Sequence, residues 1–136
     1  MFRILVADDE PSILGLLKTV LELSSFQAET VTSAQQATAL LLEGCFHVVL
    51  TDMKMETPTA GYDVIRTARQ LQPRPAIAIL TAYPISPAEW KPSGADALFV
   101  KGSDLINLPE KLKLLLKQRA QREAAAEPVL PRSVNQ

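Results

Sequence analysis

The sequence predicts an α/β fold: a single doubly wound sheet of five parallel strands over residues 1–122, with 123–136 as a flexible tail or the start of a linker. Three observations carry that prediction. Short apolar runs alternate with longer stretches of helical period five times along the chain. That order builds a parallel sheet covered on both faces. The run 48–51, Val-Val-Leu-Thr, is near-continuously apolar, as a strand buried on both faces requires. With 136 residues, 47% hydrophobic and 21% charged, the chain has the size and composition of one globular domain.

Taken in order, residues 2–7 form a strand that delivers Asp8, Asp9 and Glu10 to its carboxyl end. Pro11 suits the first turn of a helix, where its missing N–H is not needed. Ile13, Leu17, Val20, Leu21 and Ser24 then share one helical face. Residues 27–31 are the second strand. Ser33 with Gln36 is a capping-box pattern at the head of a helix through Glu43, and Gly44 stops it. Residues 46–51 are the third strand, ending at Asp52. A loop containing Pro58 leads to Gly61 and a helix to about Gln72, with Val64, Ala68 and Leu71 inward and Pro73 and Pro75 beyond. Residues 76–80 are the fourth strand, ending in Thr81, and 97–100 the fifth, ending in Lys101.

Between those two strands stand Pro84, Pro87 and Pro92. An interior proline costs ~3 kcal/mol or more, so only one or two helical turns fit, near 87–91. Trp90 there is a lid packed on the core; the other reading makes it an exposed anchor for a partner. The last helix takes Asn107 as N-cap and Glu110 at its third position. A start at Asp104 would put Pro109 where an N–H must bond back to Leu105. Leu108, Leu112, Leu115 and Leu116 form its inward stripe, and from Glu123 the pattern fades.

Several function classes fall away. No apolar run approaches the ~20 residues of a membrane span, and the start lacks a signal-peptide pattern, which predicts a cytoplasmic protein away from membranes. The lone Cys45 cannot form an internal disulfide, and the lone His47 excludes a histidine metal cluster. Residues 1–68 carry nine acids and four bases, residues 69–136 six acids and ten bases. The bases gather on the last helix, where a solvated face explains them; with a pI near 5.8 no direct nucleic-acid contact is predicted. There is no Gly-x-Gly-x-x-Gly and no Walker loop, so nucleotide folds lack their phosphate-binding glycines.

Open α/β sheets place their chemistry at the carboxyl ends of the strands. Four strand ends here bring Asp8 and Asp9, Asp52, Thr81 and Lys101 to one edge. Each residue alone has an ordinary explanation, such as a helix cap or a loop position; one per strand in this order does not. Two carboxylates ~4 Å apart repel by ~4 kcal/mol at an effective dielectric of ~20, so three clustered acids call for a cation. Hard oxygen ligands suit Mg²⁺ or Mn²⁺. With Asp52 as nucleophile, the metal and Lys101 would neutralise phosphoryl oxygens and Thr81 would hydrogen-bond one of them. That is phosphoryl transfer through an aspartyl phosphate.

The pattern Val6-Ala-Asp8-Asp9-Glu10, Leu50-Thr-Asp52-Met, Leu80-Thr81-Ala82 and Val100-Lys101 resembles the receiver domain of two-component response regulators, over about residues 2–120. The resemblance implies a flavodoxin-like strand order 2-1-3-4-5. It implies Asp52 as phosphoacceptor, and Mg²⁺ held by Asp8, Asp9, Asp52 and the backbone carbonyl of Lys54. It makes Thr81 the switch hydroxyl and Lys101 its counter-ion. The implied partners are a sensor histidine kinase or a histidine phosphotransfer protein, with signalling, and a homodimer, through the face of the fourth helix, fifth strand and last helix. The implied role is that of a phosphorylated switch rather than an enzyme, with self-phosphorylation from small donors and autodephosphorylation expected.

The chain departs from the family pattern at four places. Gly102 stands where proline usually follows the lysine, and Leu98 where the switch aromatic usually stands. Phe99 is one place off, with Tyr83 as another aromatic near Thr81. Glu56 replaces a common proline, and Gly61 arrives one residue late. Lys54 and Tyr83 flank the site, at positions that tune phosphate lifetime in the family. Two other readings use the same residues: a receiver that binds partners without phosphorylation, and a Mg²⁺-dependent phosphatase with an aspartyl-phosphate intermediate. The phosphatase commonly needs a second carboxylate where Lys54 stands.

Overall fold

A computed structural model of the chain describes residues 1–126. Its elements are β1 (Phe2–Ala7), α1 (Pro11–Leu23), β2 (Phe26–Val31), α2 (Ala34–Glu43), β3 (Val48–Thr51) and α3 (Ala60–Arg69). They continue with β4 (Ala76–Thr81), α4 (Pro87–Trp90), a 3₁₀ turn (Lys91–Ser93), β5 (Ala97–Val100), α5 (Lys101–Asp104) and α6 (Leu108–Ala126). All neighbouring strands are parallel, in the order β2-β1-β3-β4-β5. This is the predicted architecture.

Alternation along the strands divides the core in two. Leu5, Ala7, Val49, Ile77 and Ile79 face α2, α3 and Trp90 of α4. Ile4, Val6, Val48, Leu50, Ala78 and Leu80 face Leu14, Leu17 and Leu21 of α1 and Leu108, Leu112 and Leu115 of α6. Both faces of β1, β3 and β4 are therefore dry, which is why these strands read as unbroken apolar runs. In β5 the same alternation sends Leu98 to the first cluster and Phe99 to the second.

Local differences from the predicted elements have local causes. The third strand starts at Val48 rather than 46, although the His47 N–H still bonds the Arg3 carbonyl at 2.9 Å. On α1 the buried residues are Leu14, Leu17 and Leu21, and the predicted face lacks Leu14. Ser25, just past α1, takes a left-handed φ of 72°. In α2 the Ser33 hydroxyl accepts from the Gln36 N–H, but Gln36 reaches back to Thr32 rather than to Ser33. Helix α3 ends at Arg69, three residues early, and tapers through Gln70 and Leu71 N–H bonds to Thr67 and Ala68.

Helix α4 is a single turn followed by the 3₁₀ turn, as the prolines require. Trp90 is 9% exposed and packs in the core, so it is a lid and not an exposed anchor. Helix α6 starts directly after Asn107 and continues to Ala126, four residues into the stretch assigned to a tail; 127–136 lie outside the described residues. Among the described residues, no helix is long and apolar enough to cross a membrane.

Candidate functional site

The sheet's hydrogen bonding runs one residue past β1 and β3. The Asp8 N–H bonds the Val31 carbonyl and the Asp52 N–H bonds the Ala7 carbonyl at 2.9 Å. Both acids are thereby fixed at the carboxyl edge by backbone alone, before any side-chain contact forms. Asp8 is 1% exposed and Asp52 9%, while Asp9 and Glu10 remain exposed. Carboxylate oxygens of Asp8, Asp9 and Asp52 lie within 4.8 Å of one another.

Lys101 reaches this cluster from the end of β5. Its Nζ donates to Asp52 Oδ2 at 2.8 Å and lies 2.7 Å from Asp8 Oδ2 and 3.2 Å from Glu10 Oε1. Burial works to lower the lysine's pKa, but the hydrogen bonds and charges of Asp52 and Asp8 outweigh it and hold the group protonated. For Asp8 burial wins, and its pKa is raised despite Lys101 and the Glu10 N–H. Asp52 Oδ1 accepts from the Met53 N–H at 2.8 Å. Thr81 is 6% exposed, and its hydroxyl oxygen accepts from the Tyr83 N–H at 3.3 Å, which leaves its own proton free to donate.

The loop after Asp52 is shaped by two buried methionines, Met53 and Met55, with Lys54 exposed between them. The Gly61 N–H closes it on the Met53 carbonyl at 2.8 Å. Three acids and a lysine thus converge at the carboxyl edge of β1, β3 and β5 in a sheet of order β2-β1-β3-β4-β5. Residues 4–113 match the response regulator receiver domain family.

The chain belongs to that family.

The response regulator PilR of Pseudomonas aeruginosa is 30% identical over 119 residues, 86% of this chain and 26% of PilR. Among solved structures, the response regulator TrrA from Thermotoga maritima, in complex with Mg²⁺ and BeF, is 32% identical. It superposes with a TM-score of 0.75 over 85% of this chain and 99% of that one. TrrA in complex with the histidine kinase ThkA gives 0.74 at 33% identity, over 85% and 99%. The chain spans less than half the length of the curated relatives it matches.

The donor set of this receiver fits a hard divalent cation. One ammonium, Lys101, is shared by Asp8, Glu10 and Asp52, and Asp9 stands beside them, so the cluster holds more negative charge than the lysine offsets. A hard divalent cation would balance it. Of the sequence-predicted site residues, the structure brings Asp8, Asp9, Asp52 and Lys101 together. It places Thr81 on the same edge, opposite Val100 in register, and Lys54 on the adjoining loop. Tyr83 does not cover the site; it is 80% exposed. Gly102 has a negative φ and open space around it, and sits in the single turn of α5.

Glu10 and Glu56 were not among the predicted site residues. Glu10 could have been found, since it directly follows the two acids. Glu56 contacts a helix more than twenty residues earlier, and nothing in its neighbourhood in sequence signals that.

Proposed function

We propose that this receiver is a phosphorylation-dependent switch that accepts a phosphoryl group on Asp52. The observation that carries the reading is the Lys101–Asp52 contact at 2.8 Å beside the Asp8 and Asp9 carboxylates. In the step, an Asp52 oxygen attacks phosphorus, the bond from phosphorus to the donor's imidazole nitrogen breaks, and the imidazole leaves with that electron pair. Lys101 Nζ, already protonated and aimed at Asp52, turns to a phosphoryl oxygen. The Thr81 hydroxyl donates to a second one. Asp8, Asp9, Asp52 and the Lys54 carbonyl would hold Mg²⁺ or Mn²⁺. Bound there, the metal draws charge from the phosphoryl oxygens and from the acids.

The donor is a sensor histidine kinase or a histidine phosphotransfer protein. The solved complex of TrrA with the histidine kinase ThkA supports that class of partner. Output runs through the α4–β5–α6 face, by partner docking or homodimerisation, in the cytoplasm and without direct nucleic-acid contact by this domain.

The test is intact mass after incubation with Mg²⁺ and acetyl phosphate, with Asp52→Asn as control. One added phosphoryl group, lost without Mg²⁺ and absent in the control, is the expected result. No adduct, together with no beryllofluoride binding, would overturn the reading and leave a binding module that works without phosphorylation.

A further inference from the structure

We propose that Glu56 is a positioning residue: it ties the loop that carries the Lys54 carbonyl to the N-terminus of α2, and so sets metal affinity. This rests on the metal-assisted phosphoacceptor reading above. The geometry is a two-point cap made across the fold. Glu56 Oε1 accepts from the Ala34 N–H at 2.8 Å and Oε2 from the Gln35 N–H at 3.0 Å. These are the first two amides of α2, which have no partner within the helix. The Ser33 hydroxyl takes the third, from Gln36, at 3.1 Å. Three free amides of one helix end are therefore shared between a local cap and a distant one.

The distant cap is the stronger kind. A carboxylate accepting from backbone N–H groups makes charge-assisted hydrogen bonds, and the positive end of the helix dipole favours it.

The loop has few other ties. Among the described residues, the hydrogen bonds of 54–59 other than these two stay within the loop or run to the adjoining start of α3. Buried Met53 and Met55 fix the loop by packing, and the Gly61 N–H holds the Met53 carbonyl. Lys54 lies between those anchors. Its carbonyl direction is set by the backbone of 54–56, and Glu56 is where that backbone is bolted to α2. A proline at this position could not make the contact. The longer loop, with Gly61 one residue late, is thus held by a side chain.

The experiment is a titration of the full 136-residue chain with Mn²⁺, followed by loss of the free-ion electron paramagnetic resonance signal, for wild type, Glu56→Gln and Ser33→Ala. Gln keeps the shape but turns an amide N–H₂ toward a backbone donor. Ser33→Ala weakens the same helix end without touching the loop. The expected result is that both variants lower the melting temperature. Only Glu56→Gln weakens Mn²⁺ binding, by about tenfold, the low end for a group that orients a metal ligand. Wild-type affinity in Glu56→Gln would overturn the inference, as would equal weakening in both variants. A wild-type chain that bound no Mn²⁺ would overturn the metal site itself, and this inference with it.

Discussion

Gly61 meets a constraint that no other residue type can meet. A β-carbon there would run into the Asp52 carbonyl and into Met53, whose own carbonyl the Gly61 N–H must reach. The requirement is for space, since its φ is not left-handed. Gly61→Ala should cost about 1–3 kcal/mol by overpacking and slow Asp52 phosphorylation, because the displaced atoms include the Asp52 backbone. Gly102 is the opposite case. A β-carbon at 102 meets nothing, so Gly102→Ala should hold or slightly raise stability. Urea midpoints and acetyl-phosphate rates for the two variants check both statements, and a Gly61→Ala chain equal to wild type would refute the first. The sequence shows a glycine at each position and no more. Only the approach of another segment separates one that is essential from one that is incidental.

Among the elements, the connection from β5 to α6 is the least expected. The segment Lys-Gly-Ser-Asp has poor helix propensity, yet it makes the single turn of α5. Asp104 accounts for it. Its Oδ2 accepts from the Val100 N–H at 2.6 Å, and Oδ1 pairs with Lys111 of α6 at 3.0 Å. The backbone on either side of Lys101 is thereby drawn together in a chain that lacks proline at 102. The Val100 N–H, and after it Lys111, hold the Asp104 carboxyl below its ordinary value of 3.8. A lowered acid stabilises the fold above its unfolded-state pKa and loses that contribution as pH falls through the folded-state one. Asp104→Asn should therefore be less stable than wild type at neutral pH. The gap between them should narrow as pH falls from about 5 to about 2. Denaturant midpoints across that range check it, and a constant gap would refute it. Helix α4 was legible for the opposite reason, because three prolines are a local veto that no packing overrides.

Across the whole molecule, one sheet serves two cores. Ile4 lies on the α1–α6 side and Ile77 on the α2–α3–α4 side, and both are fully buried. Ile4→Ala and Ile77→Ala should each cost about 2–5 kcal/mol. Because the strands are shared, each should shift one cooperative transition rather than split it. Trp90 reports only its own face, whereas circular dichroism reports the entire chain. Coincident curves from the two probes, in wild type and in both variants, are the expected result; separate curves would mean that the faces unfold independently.

The sequence by itself determined the class of fold, the strand–helix order and the acids, hydroxyl and lysine at strand ends. Those follow from period, punctuation and residue type, which are local. It also placed the short α4 and the start of α6, through prolines that cannot bond. Tertiary structure alone decided the rest. Leu14 is buried because α1 packs into the cluster that holds Ile4, Val6 and Phe26. Tyr83 stands outside the site, 80% exposed, two residues past the end of β4. Glu56 found α2, and Glu10 found Lys101, only once the strands were side by side. Contacts between residues far apart in sequence depend on the relative placement of whole elements, and no local pattern encodes that placement.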